Sequence, residues 1–304
     1  MMMQLIFLGT GGSWPSKERN VPAVALKIDG EIILFDCAEG TQRQFMYSTT
    51  TFMQVNKILI SHFHGDHFLG LPGMVQSMYL NDRTRPLDIY GPKGTGKLIS
   101  SLLKLGYFSP TFDIRLHDLE DGDVVEFPKY TIKCRAVSHS VPTFAYCVEE
   151  KERPGKFNLD KAKELGIPEG PEYRALQQGK DVEVNGKNIT PDMVMGPPRK
   201  GRKIVYSGDT KPCDAVIELA KDADVLIHDA TLDQSLEDKA EAYDHSSSRQ
   251  AAEVAKAAKA SILFLVHISP RYRDAEQLEK EAQAVFPNTV AARDFLEFDV
   301  KPVK

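Results

Sequence analysis

Apolar and polar positions alternate over short stretches in the first half of the chain, and each stretch stops at turn-forming or polar residues. Residues 4–8 run into Gly9-Thr10-Gly11-Gly12, and residues 23–28 and 31–36 flank Asp29-Gly30, a tight-hairpin dipeptide. Residues 57–60 form a compact β-type run that halts before a polar segment rich in histidine. Residues 87–90 end at Gly91-Pro92, and 130–138 alternate up to His139. The second half repeats this grammar: 203–207 stop at Gly208-Asp209, 225–227 at His228-Asp229 and 262–266 at His267. Helical stretches lie between, clearest at 248–260, which is rich in Ala, Glu and Lys. Strands and helices mixed through both halves predict an α/β chain of two packed sheets covered by helices. Polar residues at successive strand ends would gather on loops at one rim.

Composition narrows this picture. The 304 residues are enough for a substantial core, and 42% apolar with 27% charged residues excludes a disordered chain. A net charge of −5 excludes a surface that is polycationic throughout. No apolar run approaches the roughly 20 residues of a membrane span, and the start has no basic leader. Cys37, Cys134, Cys147 and Cys213 form no C-x-x-C pair, so a reducing, cytoplasmic setting is expected. One segment stands apart. Residues 149–203 hold six prolines, seven glycines and twelve Lys/Arg against ten Asp/Glu. This reads as an insertion within a single domain spanning 1–304.

The strongest chemical signal is Ser61-His62-Phe63-His64-Gly65-Asp66-His67. Three imidazoles and a carboxylate in a tight loop directly after a strand can converge on metal, since imidazole nitrogen suits zinc and carboxylate oxygen binds metal or orients a water. With only eight histidines in the chain, such a run is improbable by chance. Four candidate ligands cannot close two metal shells, so further ligands should arrive from later strand ends. His139, Asp209 and His267 each follow a β-type run. Together they make five His and two Asp, enough for two metals that share one carboxylate and act on a phosphodiester.

His62-x-His64-x-Asp66-His67 with His139, Asp209 and His267 resembles the metallo-β-lactamase superfamily. Within it the chain is similar, nearly end to end, to the tRNase Z family, endoribonucleases that remove 3′ trailers from precursor tRNA. The shared motifs include Asp36-Cys37-x-Glu39-Gly40-Thr41-Gln42, Tyr206-Ser207-Gly208-Asp209-Thr210, His267-Ile268-Ser269-x-Arg271-Tyr272 and Pro15-x-Lys17-x-Arg19-Asn20. The resemblance implies a four-layer αββα sandwich and two Zn²⁺ ions, with Mn²⁺ or Fe²⁺ as substitutes. His62, His64 and His139 would hold one ion, Asp66, His67 and His267 the other, and Asp209 would bridge them. Asp66 would also orient the attacking water. His245 would protonate the leaving oxygen with support from Asp229, where the family usually carries the longer Glu.

The resemblance further assigns Lys17, Arg19 and Asn20 to the tRNA 3′ end. Ser269, Arg271 and Tyr272, beside a ligand, could hold phosphate oxygens. Residues 149–203 would be a flexible exosite arm that clamps the tRNA elbow, marked by Gly166, Pro168, Gly170, Pro171 and Lys180. A homodimer is implied, because the family's arm serves the tRNA on the other subunit. The expected activity is cleavage of precursor tRNA on the 3′ side of the discriminator nucleotide, leaving a 3′ hydroxyl. The alternative is a general metal-dependent phosphodiesterase on the same scaffold, which would need no residues 149–203. His228 is expected to pack, and His117 to lie at the surface.

Overall fold

The computed structural model describes residues 2–302 except 106 and 108. The chain divides into two compact units, one of Met1–Glu149 with Lys203–Lys301 and the other chiefly Glu150–Arg202.

The first sheet of the larger unit holds β1 (Met3–Gly9), β2 (Ala23–Ile28), β3 (Glu31–Phe35), β4 (Val55–Leu59), β5 (Leu87–Pro92), β6 (Ile114–Leu119) and the last strand, β16 (Glu297–Asp299). Their order is β16-β1-β2-β3-β4-β5-β6. The second sheet runs β15 (Thr289–Ala291), β14 (Leu263–Val266), β13 (Val225–Asp229), β12 (Lys203–Tyr206), β9 (Phe144–Glu150), β8 (Tyr130–Ala136), β7 (Val124–Glu126). Alternation along each strand sends side chains to two different cores. Leu5 and Phe7 of β1 meet Tyr146, Tyr206, Ile227 and Phe264 between the sheets. Ile6 and Leu8 point outward, to a core completed by α1 (Thr41–Tyr47), α3 (Leu71–Leu80) and α4 (Thr95–Leu103). On the far side, Val205, Leu226 and Leu265 pack under α8 (Asp214–Leu219), α10 (Ser248–Ala257) and α11 (Glu276–Val285). The result is the four-layer αββα sandwich expected from the sequence.

Strand direction decides where the loops go. β3, β4, β5 and β6 run parallel, as do β12, β13, β14 and β15. β9 runs antiparallel to β12, and β8 lies beside β9, joined to it by a turn in which Val137 N donates to the Thr143 carbonyl at 3.0 Å. The polar residues that follow β4, β8, β12, β13 and β14 therefore leave carboxyl ends, the edge at which open α/β sheets build their sites. The alternation signal found nine of these strands. It missed β6, β7, β15 and β16, and also β9, whose Phe144-Ala145-Tyr146-Cys147-Val148 is buried on both faces and so carries no polar phase.

The smaller unit contains α5 (Leu159–Glu164), α6 (Pro171–Gln177), the hairpin β10 (Val182–Val184) and β11 (Lys187–Ile189), and α7 (Pro191–Val194). Ala162, Ile167, Leu176, Val184, Ile189 and Val194 form its own apolar cluster. The Pro/Gly-rich insertion thus holds regular structure, because its breakers fall between elements. Gly166 (φ +70°) follows α5, and Gly170 and Pro171 start α6. Arg202 Nε donates to Glu150 Oε2 at 2.7 Å where the unit begins and ends, and both side chains are buried.

Candidate metal centre

The Ser61–His67 segment closes on itself through α2 (Gly65–Phe68), a single helical turn whose first flanking residue is His64. The carbonyl of His67 accepts from Cys37 N at 2.8 Å, which anchors the turn to the end of β3. From there the side chains reach ligands on other loops. His62, His64, His139 and Asp209 offer donor atoms that all lie within 4.8 Å of one another, and so do Asp66, His67 and His267. Asp209 joins the two groups: its Oδ2 is 3.2 Å from both His67 Nε2 and His267 Nε2, and 3.7 Å from His62 Nε2. Such spacings are near the edge of about 3.3 Å expected for a tetrahedron of donors around an ion roughly 2 Å away.

Hydrogen bonding selects the ring nitrogen that faces this point. Asp36 Oδ2 accepts from His67 Nδ1 at 2.8 Å, and the carbonyl of Asp244 accepts from His139 Nδ1 at 2.9 Å. Neither acceptor has a proton to give, so each imidazole carries its proton on Nδ1. The Ser61 and Thr231 hydroxyls reach the same result by one step more. Each gives its single proton to a carboxylate, Ser61 to Asp36 at 2.8 Å and Thr231 to Asp229 at 2.7 Å. Each must then accept from its neighbouring histidine, His62 at 3.0 Å and His267 at 2.8 Å. In the neutral rings this leaves Nε2 of His62, His67 and His267 as the nitrogen with a lone pair, and each is buried without a hydrogen-bond partner. Buried polar atoms are normally satisfied, so three orphaned nitrogens aimed at one carboxylate fit a cation. His64 presents Nδ1 instead, 3.3 Å from His139 Nε2.

Electrostatics point the same way. Burial disfavours charge at His67, yet Asp209 and Asp36 outweigh it and raise its proton affinity well above the ordinary value. A metal ion would satisfy the same demand for positive charge. At Asp209 and Asp66 burial opposes ionisation, but the surrounding imidazoles hold both carboxyls well below the usual range. Ser13 N donates to Asp66 Oδ2 at 2.7 Å and fixes its direction.

Backbone geometry is specialised at this rim. His267 (φ +57°) and Asp36 (φ +56°) are left-handed, a conformation that non-glycine residues adopt at a cost of about 1–3 kcal/mol. A Cβ on Gly12 would sit 2.4 Å from the His267 ring, and one on Gly208 (φ +61°) would sit 2.9 Å from Ser61 Cβ. Gly12 therefore lets the β1 loop pass against the His267 ring, and Gly208 lets the β12 loop pass against Ser61.

His245 Nδ1 donates to Asp229 Oδ2 at 2.8 Å, so the shorter Asp reaches the histidine here. Burial lowers the proton affinity of His245, but Asp229 reverses the effect and pushes it up to about 9. Asp209, Asp229, His245 and His267 also lie close enough to hold an ion. Asp229, however, already accepts from Thr231 N, Thr231 Oγ1, Thr210 N and His245, which occupies both oxygens.

The remaining sequence-predicted residues are distributed unevenly. Lys17 is exposed, whereas Arg19 is buried and donates to Thr10 Oγ1 at 2.6 Å and to the carbonyl of Ala292. Arg19 therefore braces its own loop instead of projecting into solvent. Asn20 Nδ2 donates to the Glu39 carbonyl at 2.9 Å. Arg271 is exposed and donates to Ser269 Oγ at 3.1 Å, but the Tyr272 hydroxyl donates to Asp233 at 2.7 Å and anchors the turn. Gly166, Pro168, Gly170, Pro171 and Lys180 are all exposed within the smaller unit. His228 is buried with Nδ1 donating to the Asp229 carbonyl, and His117 pairs with Asp88 at 3.0 Å. Asp36 is the residue that motif reading left without a role. Its signal was its place at the end of β3, where it accepts from Ser61, Tyr206 and His67.

Comparison with known proteins agrees with this geometry. The family described as beta-lactamase superfamily domain matches residues 187–268, and that of anti-Pycsar protein Apyc1 matches residues 3–148. The chain is 48% identical to a ribonuclease Z of Methanothermobacter thermautotrophicus, over 99% of this chain and 97% of the relative. It is 46% identical to a ribonuclease Z of Pyrococcus horikoshii, over 97% and 95%. The crystal structure of human tRNase Z, short form, superposes with a TM-score of 0.74 at 28% identity and covers 98% of this chain and 100% of that one.

Proposed function

The chain belongs to the ribonuclease Z family, and we propose that it matures tRNA 3′ ends with the His/Asp centre described above. It is an endoribonuclease that hydrolyses precursor tRNA on the 3′ side of the discriminator nucleotide. The observation that carries the assignment of its chemistry is the set of orphaned, buried Nε2 atoms of His62, His67 and His267 around Asp209. His62, His64 and His139 would hold one Zn²⁺, Asp66, His67 and His267 a second, with Asp209 between them. Bound divalent ions make hydroxide available at neutral pH and neutralise phosphate charge.

The protein's own groups supply the rest. Asp66, ionised and held by Ser13, orients the attacking water and can take its proton. His245, charged at neutral pH through Asp229, gives a proton to the departing oxygen across the phosphorus. Asp229 positions His245 without touching substrate. Ser269 and Arg271 stand together beyond His267 and can hold the non-bridging oxygens. Lys17 offers a charge on the 13–20 loop. The smaller unit, with Lys180 and its exposed Gly/Pro turns, would grip the tRNA away from the cut through phosphate contacts.

A homodimer fits the exposed Met46 on α1 and Leu80 on α3, two helices joined by a hydrogen bond from Gln42 to Ser77. Sedimentation of the intact protein would test it, and a monomer at micromolar concentration would exclude it. Among the described residues no helix is long and apolar enough to cross a membrane. The four cysteines are free thiols, which fits a cytoplasmic, reducing compartment.

The decisive experiment is cleavage of a 3′-extended precursor tRNA with both ends mapped to the nucleotide. One metal-dependent cut after the discriminator, leaving a 3′ hydroxyl, is the expected outcome. Cutting at scattered sites, or turnover of small phosphodiesters with an intact precursor, would return the chain to the general phosphodiesterase reading.

A further inference from the structure

The loop of residues 13–20 has two sides. Its start touches the metal centre through Ser13 and Asp66, and its end returns to β1, where Gly11 N donates to the Asn20 carbonyl at 2.8 Å. Behind that end lies a cavity of about 450 Å³, walled by Arg43, Tyr47, Arg293 and Phe295 together with the loop. Its floor is built with care for geometry. Asp294 accepts from Thr10 N (3.1 Å), Thr10 Oγ1 (2.8 Å), Asn20 N (2.7 Å) and Gln44 Nε2 (2.9 Å). One carboxylate thereby joins the end of β1, the loop, α1 and the turn before β16.

The walls carry chemistry that packing does not explain. Tyr47 is 61% and Phe295 40% exposed, and their rings stand 6.1 Å apart at 51°. The Arg43 guanidinium lies 4.8 Å from the Tyr47 ring centre and donates to its hydroxyl. Phe295 is left-handed at φ +66°, a strained state for an aromatic residue, and it is held there by a 2.7 Å bond from its N–H to the Phe7 carbonyl. The apolar anchoring of this turn falls to Leu296, which packs on the inter-sheet core. The strained turn thus presents a ring outward in a cavity whose lining carries Arg43, Arg293 and Lys17 against Glu18, on a chain that is acidic overall. Exposed aromatic faces flanked by cations are the means by which proteins hold unpaired nucleotides without reading their sequence.

We propose that this cavity is a subsite for one unpaired nucleotide of the substrate RNA next to the cut. The base stacks on Tyr47 and Phe295, and its phosphate meets Arg43 and Arg293. The proposal rests on the endoribonuclease reading above.

The test is a double-mutant cycle on the intact enzyme. Precursor tRNAs carry a single abasic nucleotide at successive positions on either side of the cut, and kcat/KM is measured for each. The variants are Phe295→Gly, which removes the ring yet suits a positive φ, and Tyr47→Ala. Each variant should lose about tenfold in kcat/KM on the intact precursor. Wild type should lose a similar factor when one particular position is abasic, and variant and abasic losses should not multiply there. An abasic effect in the trailer assigns the subsite to the trailer, and one before the cut assigns it to the mature end. Losses that multiply at every position would overturn the subsite, as would full activity of Phe295→Gly on the intact precursor. Thermal unfolding of Phe295→Gly at or above the wild-type temperature separates this result from misfolding. If wild type cuts none of the precursors, the endoribonuclease reading fails and the subsite falls with it.

Discussion

At the scale of single residues, carboxylates behind the histidines set which ring nitrogen faces the cluster. Asp36 fixes the His67 tautomer and also holds Ser61, which fixes that of His62. Asp36→Asn would exchange an obligate acceptor for an amide that can present a donor. A metal-affinity loss of about 10- to 100-fold is expected, measured by competition with a chromophoric chelator. His245→Ala removes the proposed proton donor alone. Its kcat on precursor tRNA should fall by about 10²–10⁴, while metal content, read by mass spectrometry, stays at the wild-type level. A metal loss in this variant would instead make His245 a ligand. The histidine cluster itself was legible in the sequence, since H-x-H-x-D-H is a local pattern. Asp36 was not, because a carboxylate at a strand end looks alike whether it caps a turn or orients a ligand.

Elements set the clearances between these residues. The β1 loop passes the His267 ring only because residue 12 lacks a side chain, so Gly12→Ala should displace His267. The expected result is loss of the ion proposed for Asp66, His67 and His267, seen as metal content falling toward half, with far-ultraviolet circular dichroism unchanged. In the smaller unit, Glu150 closes the point where the chain enters and leaves. Burial would raise its pKa, but hydrogen bonds and charge from Arg202 lower it below the ordinary value. A depressed carboxyl contributes stability that is complete above its unfolded pKa and lost as pH falls through and below about 4.5. Protection factors for amide exchange within 150–202 should therefore fall on acidification. In Glu150→Gln protection should be low already at neutral pH, because the buried Arg202 guanidinium loses the charge that faces it. High protection factors that do not change with pH would refute this role. Periodicity alone could not reveal the pair, whose partners are 52 positions apart.

For the whole molecule, the proposed function would divide chemistry and substrate grip between different parts of the chain. Replacing residues 151–201 with a short Gly/Ser linker should raise KM for precursor tRNA by at least about tenfold, since phosphate contacts remote from the cut would be lost. Hydrolysis of a small phosphodiester should persist, and its loss would show that the insertion supports the centre itself. The chain's local patterns were sufficient for the alternating strands, the histidine loop, the later His and Asp at strand ends and the Pro/Gly-rich insertion. These are written in neighbouring residues, as side-chain period, turn chemistry and ligand spacing. Local pattern could not supply β9, which is buried on both faces, or the regular structure within 150–202. Nor could it place Arg19 inside and Lys17 outside on one loop, or bring Asp229 to His245 despite its shorter side chain. Those depend on parallel strands delivering distant residues to one rim, where burial and a limited number of hydrogen-bond acceptors decide which atom of each side chain faces the site.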